Sequence, residues 1–193
     1  MTTPHRPAIR RQPLRPRQLP ALLATLLVAL AAAPTTSRAA ALHEATPSAL
    51  VPPPGHREVA TVAARGVQIY ECRQGTTGSG AAWAFVAPEA ELFDQAGRRI
   101  GTHGAGPHWQ SLDGSRIVGK LLASSTAPVP DAIAWLLLGT QSTGSAGAFS
   151  GVTHVQRLNT QGGTAPAAAC NPQRMGETAR VAYAADYRLF TPQ

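Results

Sequence analysis

From Gly66 onward, apolar and polar side chains alternate with a period of two rather than 3.6, so the chain predicts strands and no sustained helix. Val67, Ile69 and Glu71 alternate with Gln68, Tyr70 and Cys72. Trp83, Phe85 and Ala87 alternate with Ala84 and Val86, and because both sets are apolar this stretch predicts a strand buried on both faces. Glu91-Leu92-Phe93 resume after Pro88, and Asp94-Gln95-Ala96-Gly97 predicts a turn into a return strand from Arg98 to His103. Further strands are expected from Arg116 to Ser124, through the apolar run Ala134 to Gly139, from Val152 to Asn159, and once or twice between Ala179 and Phe190. Gly104-Ala105-Gly106-Pro107, Asp113-Gly114, Pro128-Val129-Pro130 and the Gly/Ser stretch from Gln141 to Gly147 supply the breaks. About nine or ten short strands separated by turns predict a single all-β domain, an antiparallel sandwich or barrel.

Upstream the pattern changes. An arginine-rich stretch precedes the apolar run Ala21 to Ala33, which is 13 residues long. A helix needs about 20 apolar residues to cross a bilayer, so the run predicts the core of an export signal and not a membrane anchor. Ser37, Ala39 and Ala41 offer small residues for cleavage, giving a signal peptide over residues 1–41. Arg10-Arg11 with Leu14 and Arg15 echoes a twin-arginine signal, but Pro13 stands where an aromatic is usual, so an ordinary secretory signal is the preferred reading. Residues 42–54 then form an arm ending in the stiff Val51-Pro52-Pro53-Pro54-Gly55, and residues 55–193 form the β domain. Export places the protein in the periplasm or the extracellular space, with no membrane span in the mature chain.

That division changes the meaning of the charge. The chain of 193 residues has a formal charge of +7, and residues 1–41 carry six arginines and no acid. The remainder is near neutral, which excludes a basic footprint for nucleic acid. A hydrophobic fraction of 44% suffices for a core. Cys72 and Cys170 are the two cysteines. An even count in an exported domain points to one disulfide, with two buried thiols as the alternative; no C-x-x-C redox motif is present.

Several strings occur together: Gly66-Val67-Gln68-Ile69-Tyr70-Glu71-Cys72, Trp83-Ala84-Phe85-Val86-Ala87-Pro88-Glu89-Ala90, Gly101-Thr102-His103, Gly106-Pro107-His108-Trp109, Asp113-Gly114-Ser115, Val118-Gly119-Lys120, Trp135-Leu136-Leu137-Leu138, and Phe149-Ser150-Gly151-Val152-Thr153-His154-Val155-Gln156-Arg157-Leu158-Asn159-Thr160. In these the chain resembles the family called domain of unknown function 3455, exported bacterial and secreted fungal proteins. The resemblance runs from Val51 to Phe190 and implies no activity. Where that family pattern usually has a bulky residue after Thr-His, this chain has Gly104; where it often has Tyr before Val-Gln-Arg, it has His154.

Familiar catalytic patterns fail on inspection. Gly114 to Lys120 fits G-x-x-x-x-G-K, but Leu121 replaces the required Ser or Thr and the surroundings alternate like a strand. No G-x-S-x-G or G-x-G-x-x-G is present. Glu89 and Glu91 share one face of a strand, an arrangement open to acid–base work but commoner as a solvated or ion-paired face. His103, His108, Trp109 and Lys120 are the candidate ligand-binding residues, Lys120 being the sole lysine. Trp109, set between turns, is expected either to line an accessible groove or to cap the core, whereas Trp83 and Trp135 are expected in the core. Two function classes follow. The preferred one is a non-catalytic module that binds a small molecule, a glycan or an envelope component and needs no cofactor. The alternative is a metal protein or hydrolase-type enzyme built on His103, His108 and Asp94.

Overall fold

The computed structural model describes residues 45–75 and 80–193. The expected signal peptide and the first residues of the arm lie outside that range. Eight antiparallel strands form one sheet closed on itself: β1 His56–Gln74, β2 Ala81–Phe93, β3 Arg99–Gly104, β4 His108–Ser111, β5 Arg116–Ser125, β6 Trp135–Ser142, β7 His154–Gly162 and β8 Thr178–Pro192. Each strand pairs with its neighbours in sequence, and β1 pairs with β8 to close the barrel. Among the described residues no helix is long and apolar enough to cross a membrane.

The strand count falls below the nine or ten expected because two strands run long. β1 spans 19 residues and β8 spans 15, and the latter absorbs what read as one or two strands. Pro88 does not divide β2. It pairs with Gln68 of β1 at a position where β2 has outrun its partner β3, whose ladder begins at Ala90. A proline is tolerated where a strand has a free edge, because no ladder bond needs its missing N–H.

Closure sorts each strand into inward and outward positions. Val62, Leu92, Trp109, Ile117, Val155 and Leu189 point into a core that also buries Phe149 and Val152 from the β6–β7 loop. A second cluster lies on the outside of β6 and β7, where Leu50 of the arm buries itself against Trp135, Leu137 and Leu158. The buried Gln156 side chain donates to the Leu50 carbonyl and ties the arm to the wall.

The two barrel ends differ. One carries the β2–β3, β4–β5 and β6–β7 connections and is stapled shut. There Asp113 accepts from the Ser115 amide and hydroxyl and from the Ala148 amide, while Ser115 Oγ accepts from the Phe149 amide. These bonds hold the Asp113 carboxyl well below the usual range. The opposite end carries the β3–β4 turn and the β5–β6 and β7–β8 loops. The β7–β8 loop is fastened by a disulfide between Cys72 and Cys170, with Cα atoms 5.5 Å apart.

The expectation for Trp83 and its strand is corrected, and of the two readings of Trp109 the core one holds. Trp83 is not core: it is partly exposed, donates from Nε1 to the Ala168 carbonyl at 2.8 Å, and lies under Arg174 at 5.0 Å. Its strand is not buried on both faces either, since Phe85 and Val86 are 54% and 43% exposed. Trp109, expected in an accessible groove or as a cap, is 1% exposed at the centre of the core.

Trp109→Ala is therefore expected to cost about 3–5 kcal/mol and Trp83→Ala clearly less, which parallel thermal unfolding of the two variants checks. Replacing both cysteines by serine removes a link across 98 residues and is expected to cost up to about 4.7 kcal/mol, read from the midpoint of urea unfolding.

Candidate functional site

The open end leads to a cavity of about 410 Å³ inside the barrel. Every strand except β5 contributes to its wall. Gln68 and Tyr70 come from the late part of β1, Phe85 and Val86 from the early part of β2, Leu136 and Leu138 from β6, and Arg157 and Tyr187 from β7 and β8. Gly106 and Pro107 of the β3–β4 turn, and Thr164 and Ala165 of the β7–β8 loop, form the rim. Tyr70 holds that loop in place by donating its hydroxyl to the Gly163 carbonyl at 2.7 Å. Its ring packs edge-on to Phe85 at 5.8 Å.

His103, Trp109 and Tyr187 meet at the inner part of the cavity. The imidazole stacks on the indole at 4.6 Å between centroids, and the Tyr187 ring lies 5.0 Å from His103 and 5.3 Å from Trp109. The register explains the meeting: His103 pairs with Trp109 across β3 and β4, and Trp109 with Ile117 across β4 and β5. Gly119, further along β5, leaves room for the indole, because a Cβ there would come within 2.9 Å of Trp109.

His103 donates from Nδ1 to the His108 carbonyl at 2.8 Å; a carbonyl can only accept, so the proton sits on Nδ1 and Nε2 is left as an acceptor. Burial drives the His103 pKa down to about 3, so the ring is neutral at physiological pH. Burial likewise raises the Tyr183 and Tyr187 hydroxyls, which stay protonated. Arg157 is the one charged side chain in the cavity wall. Its Nε and Nη2 donate to the Ala134 carbonyl at 3.0 and 2.8 Å.

Two donors on residues lining the cavity, Gln68 Nε2 and Trp109 Nε1, have no hydrogen-bond partner, whereas the Tyr183 and Tyr187 hydroxyls meet each other and Tyr187 also meets Arg157. Each buried unpaired group carries a cost of about 1–3 kcal/mol, so such a pair calls for an explanation.

The segment from Gly101 to Lys120 divides across the barrel wall. His103 and Trp109 face inward and line the cavity. His108 lies on the outside, its Nδ1 donating to the Ala105 carbonyl at 2.7 Å. Its ring fills the space over Gly104, where a Cβ would come within 2.7 Å, so the glycine and the histidine fit each other. Lys120 is exposed and lines neither this cavity nor the outer groove around His108. Asp94 is not brought to the histidines. It sits in the β2–β3 turn at the stapled end, its carboxylate held by Arg98 and the Ala96 amide. Arg99 to His103 alone spans roughly 13 Å of strand. Among the described residues no three His, Cys, Asp or Glu side chains are grouped to hold a metal ion. Glu89 and Glu91 pair separately with Arg180 at 2.8 Å and Arg99 at 2.6 Å on the outer surface.

Gln68, Tyr70, Arg157 and Tyr187 were not legible as site residues in the sequence. Their inward parity was a usable signal, but only once closure of the barrel is known.

Residues 53–191 match the model of a family described as "Protein of unknown function (DUF3455)", most of the chain, which therefore belongs to that family. No curated protein and no solved structure matches it.

The neutral His103 makes stability depend on pH. Its folded pKa lies below the ordinary 6.5, so between about pH 6.5 and 3 the unfolded chain binds a proton that the folded chain refuses. The contribution is complete above pH 6.5 and shrinks as pH falls. At pH 4.5 the loss is expected to be about 2–3 kcal/mol. His103→Asn keeps a donor for the His108 carbonyl but does not titrate. Its unfolding free energy should change less than wild type between pH 7.5 and 4.5, as measured by urea unfolding.

Proposed function

We propose that this DUF3455 protein is an exported barrel that captures one small molecule in the cavity at its open end. One observation carries the reading. A cavity of about 410 Å³ has walls that are mostly apolar and aromatic, yet buried donors on Gln68 and Trp109 that line it are left without protein partners. Binding sites combine an apolar enclosure with a few convergent polar groups, and an eight-stranded barrel is wide enough for one small ligand. Binding would satisfy donors that the fold alone leaves unpaired.

Export is supported by the arginine-rich leader with its short apolar run and by the disulfide, which persists in oxidising compartments. A cavity of this size, entered from one end of the barrel, favours a small molecule over a glycan chain or an envelope surface. The metal or hydrolase alternative has less support, because His108 and Asp94 are held away from His103.

Leu136→Trp is the direct test. Leu136 is half-buried in the cavity wall, and the larger indole has empty space to enter. The variant is expected to keep a wild-type melting temperature within a few degrees and to lose binding of the small aromatic and sugar probes that the wild-type protein binds in calorimetric titration. Unchanged binding in a folded Leu136→Trp protein contradicts the cavity as the site.

A further inference from the structure

Resting on the cavity as the binding site, we infer that its ligand is a small organic monoanion, a flat apolar body bearing one carboxylate that Arg157 holds. The charge inventory of the wall leads there. Arg157 brings one positive charge, and no Asp or Glu lines the cavity. No ion pair among the described residues includes Arg157. Two of its five N–H groups are spent on the Ala134 carbonyl and the guanidinium also meets the Tyr187 hydroxyl, which fixes it in the cavity wall with N–H groups to spare. A part-buried cation without a carboxylate partner is the arrangement an incoming carboxylate completes, by paired N–H to oxygen bonds.

The neutral groups point the same way. Gln68 and Trp109, 2% and 1% exposed, each hold an unpartnered N–H donor. Oxygen acceptors satisfy such a set, whereas an ammonium ligand meets donors with donors and a cation with a cation. Because His103 is neutral, the wall carries a single charge, which one carboxylate balances and a phosphate dianion overshoots.

Size and shape limit the body of the ligand. About 410 Å³ lies near the lower end for small-molecule sites, so one ring or two fused rings fit better than a long acyl chain. The exposed Phe85, with the Tyr70 ring edge-on to it, puts a flat aromatic surface at the mouth, while the buried His103, Trp109 and Tyr187 rings close the inner end.

The experiment is calorimetric titration of the mature, disulfide-bonded protein with benzoate, 3-phenylpropionate and 2-naphthoate, each beside its primary amide. At least one acid is expected to bind ten-fold or more tightly than its amide. Arg157→Gln should weaken the acid at least ten-fold and change the amide less than two-fold. An amide or amine that binds as well as the acid overturns the anion inference while leaving the cavity as a neutral-ligand site. Acid binding that survives in Leu136→Trp, or an absence of binding by every acid and amide, overturns it together with the cavity reading. Should Arg157→Gln not fold, the acid–amide contrast on the wild-type protein decides.

Discussion

The ladder between His56–Glu71 of β1 and Thr178–Pro192 of β8 turns a meander into a closed barrel, and the other features depend on it. An open eight-stranded sheet would leave two rows of unpaired backbone groups, each a template for another chain. Closure pairs those rows with each other and gives every strand an inside and an outside. The disulfide acts close to the same seam. Cys72 stands near the end of β1 and Cys170 in the loop that delivers β8, and backbone bonds between Cys72 and both Gly176 and Glu177 continue the connection. Because β1 and β8 are the first and last strands, their pairing carries a large loop-closure entropy, and a covalent link nearby lowers that cost in the unfolded chain.

Within the closed sheet, stability and binding occupy different ends. The stapled end is filled by Ile117, Leu92, Phe149 and Leu189 and fixed by the Asp113–Ser115 hydrogen bonds. The open end replaces aliphatic packing with Gln68, Tyr70, His103, Arg157 and Tyr187 around an unfilled volume. Hydrophobic filling there would make the barrel more stable. Leaving polar atoms buried and unpaired is tolerable only because the stapled end and the Leu50 cluster supply enough apolar burial to hold the fold. The β3–β4 turn and the β7–β8 loop form the rim of the polar end, so variation in their residues can change the mouth without disturbing the core.

The arm shows how local stiffness and distant packing cooperate. Pro52, Pro53 and Pro54 restrict the chain between Leu50 and β1, and Leu50 is completely buried on the outer face of β6 and β7. A restricted linker loses little entropy when its end docks, so one leucine and the Gln156 bond suffice to seat it. His56 at the start of β1 bonds to the Pro53 carbonyl at 2.9 Å and packs edge-on against His154 of β7, extending that attachment. His154, the residue that replaces the usual tyrosine before Val-Gln-Arg, thus serves the arm and not the cavity.

The period-two pattern, the turn dipeptides and the even cysteine count were enough to read strands, antiparallel order and one disulfide, because each depends on neighbours in sequence or on composition alone. Recognition of the family strings came from the same local information. Alternation also told which residues share a face, but not which face turns inward. That choice belongs to closure: Gln156 and Leu158 are buried outside beneath the arm, while Arg157 between them enters the barrel. It also reversed the role of Trp83, which sits in an apolar run yet is partly exposed, and decided for the core in the case of Trp109, which sits in a four-residue strand flanked by polar turns. His103, His108, Trp109 and Lys120 were legible as one turn-bounded segment, but the two imidazoles expected to converge across the turn lie on opposite sides of the wall, and it is His103 and Trp109 that pair. Gln68, Arg157 and Tyr187 were not, because they converge on that pair from β1, β7 and β8, and only the tertiary pairing of distant strands places them around one cavity.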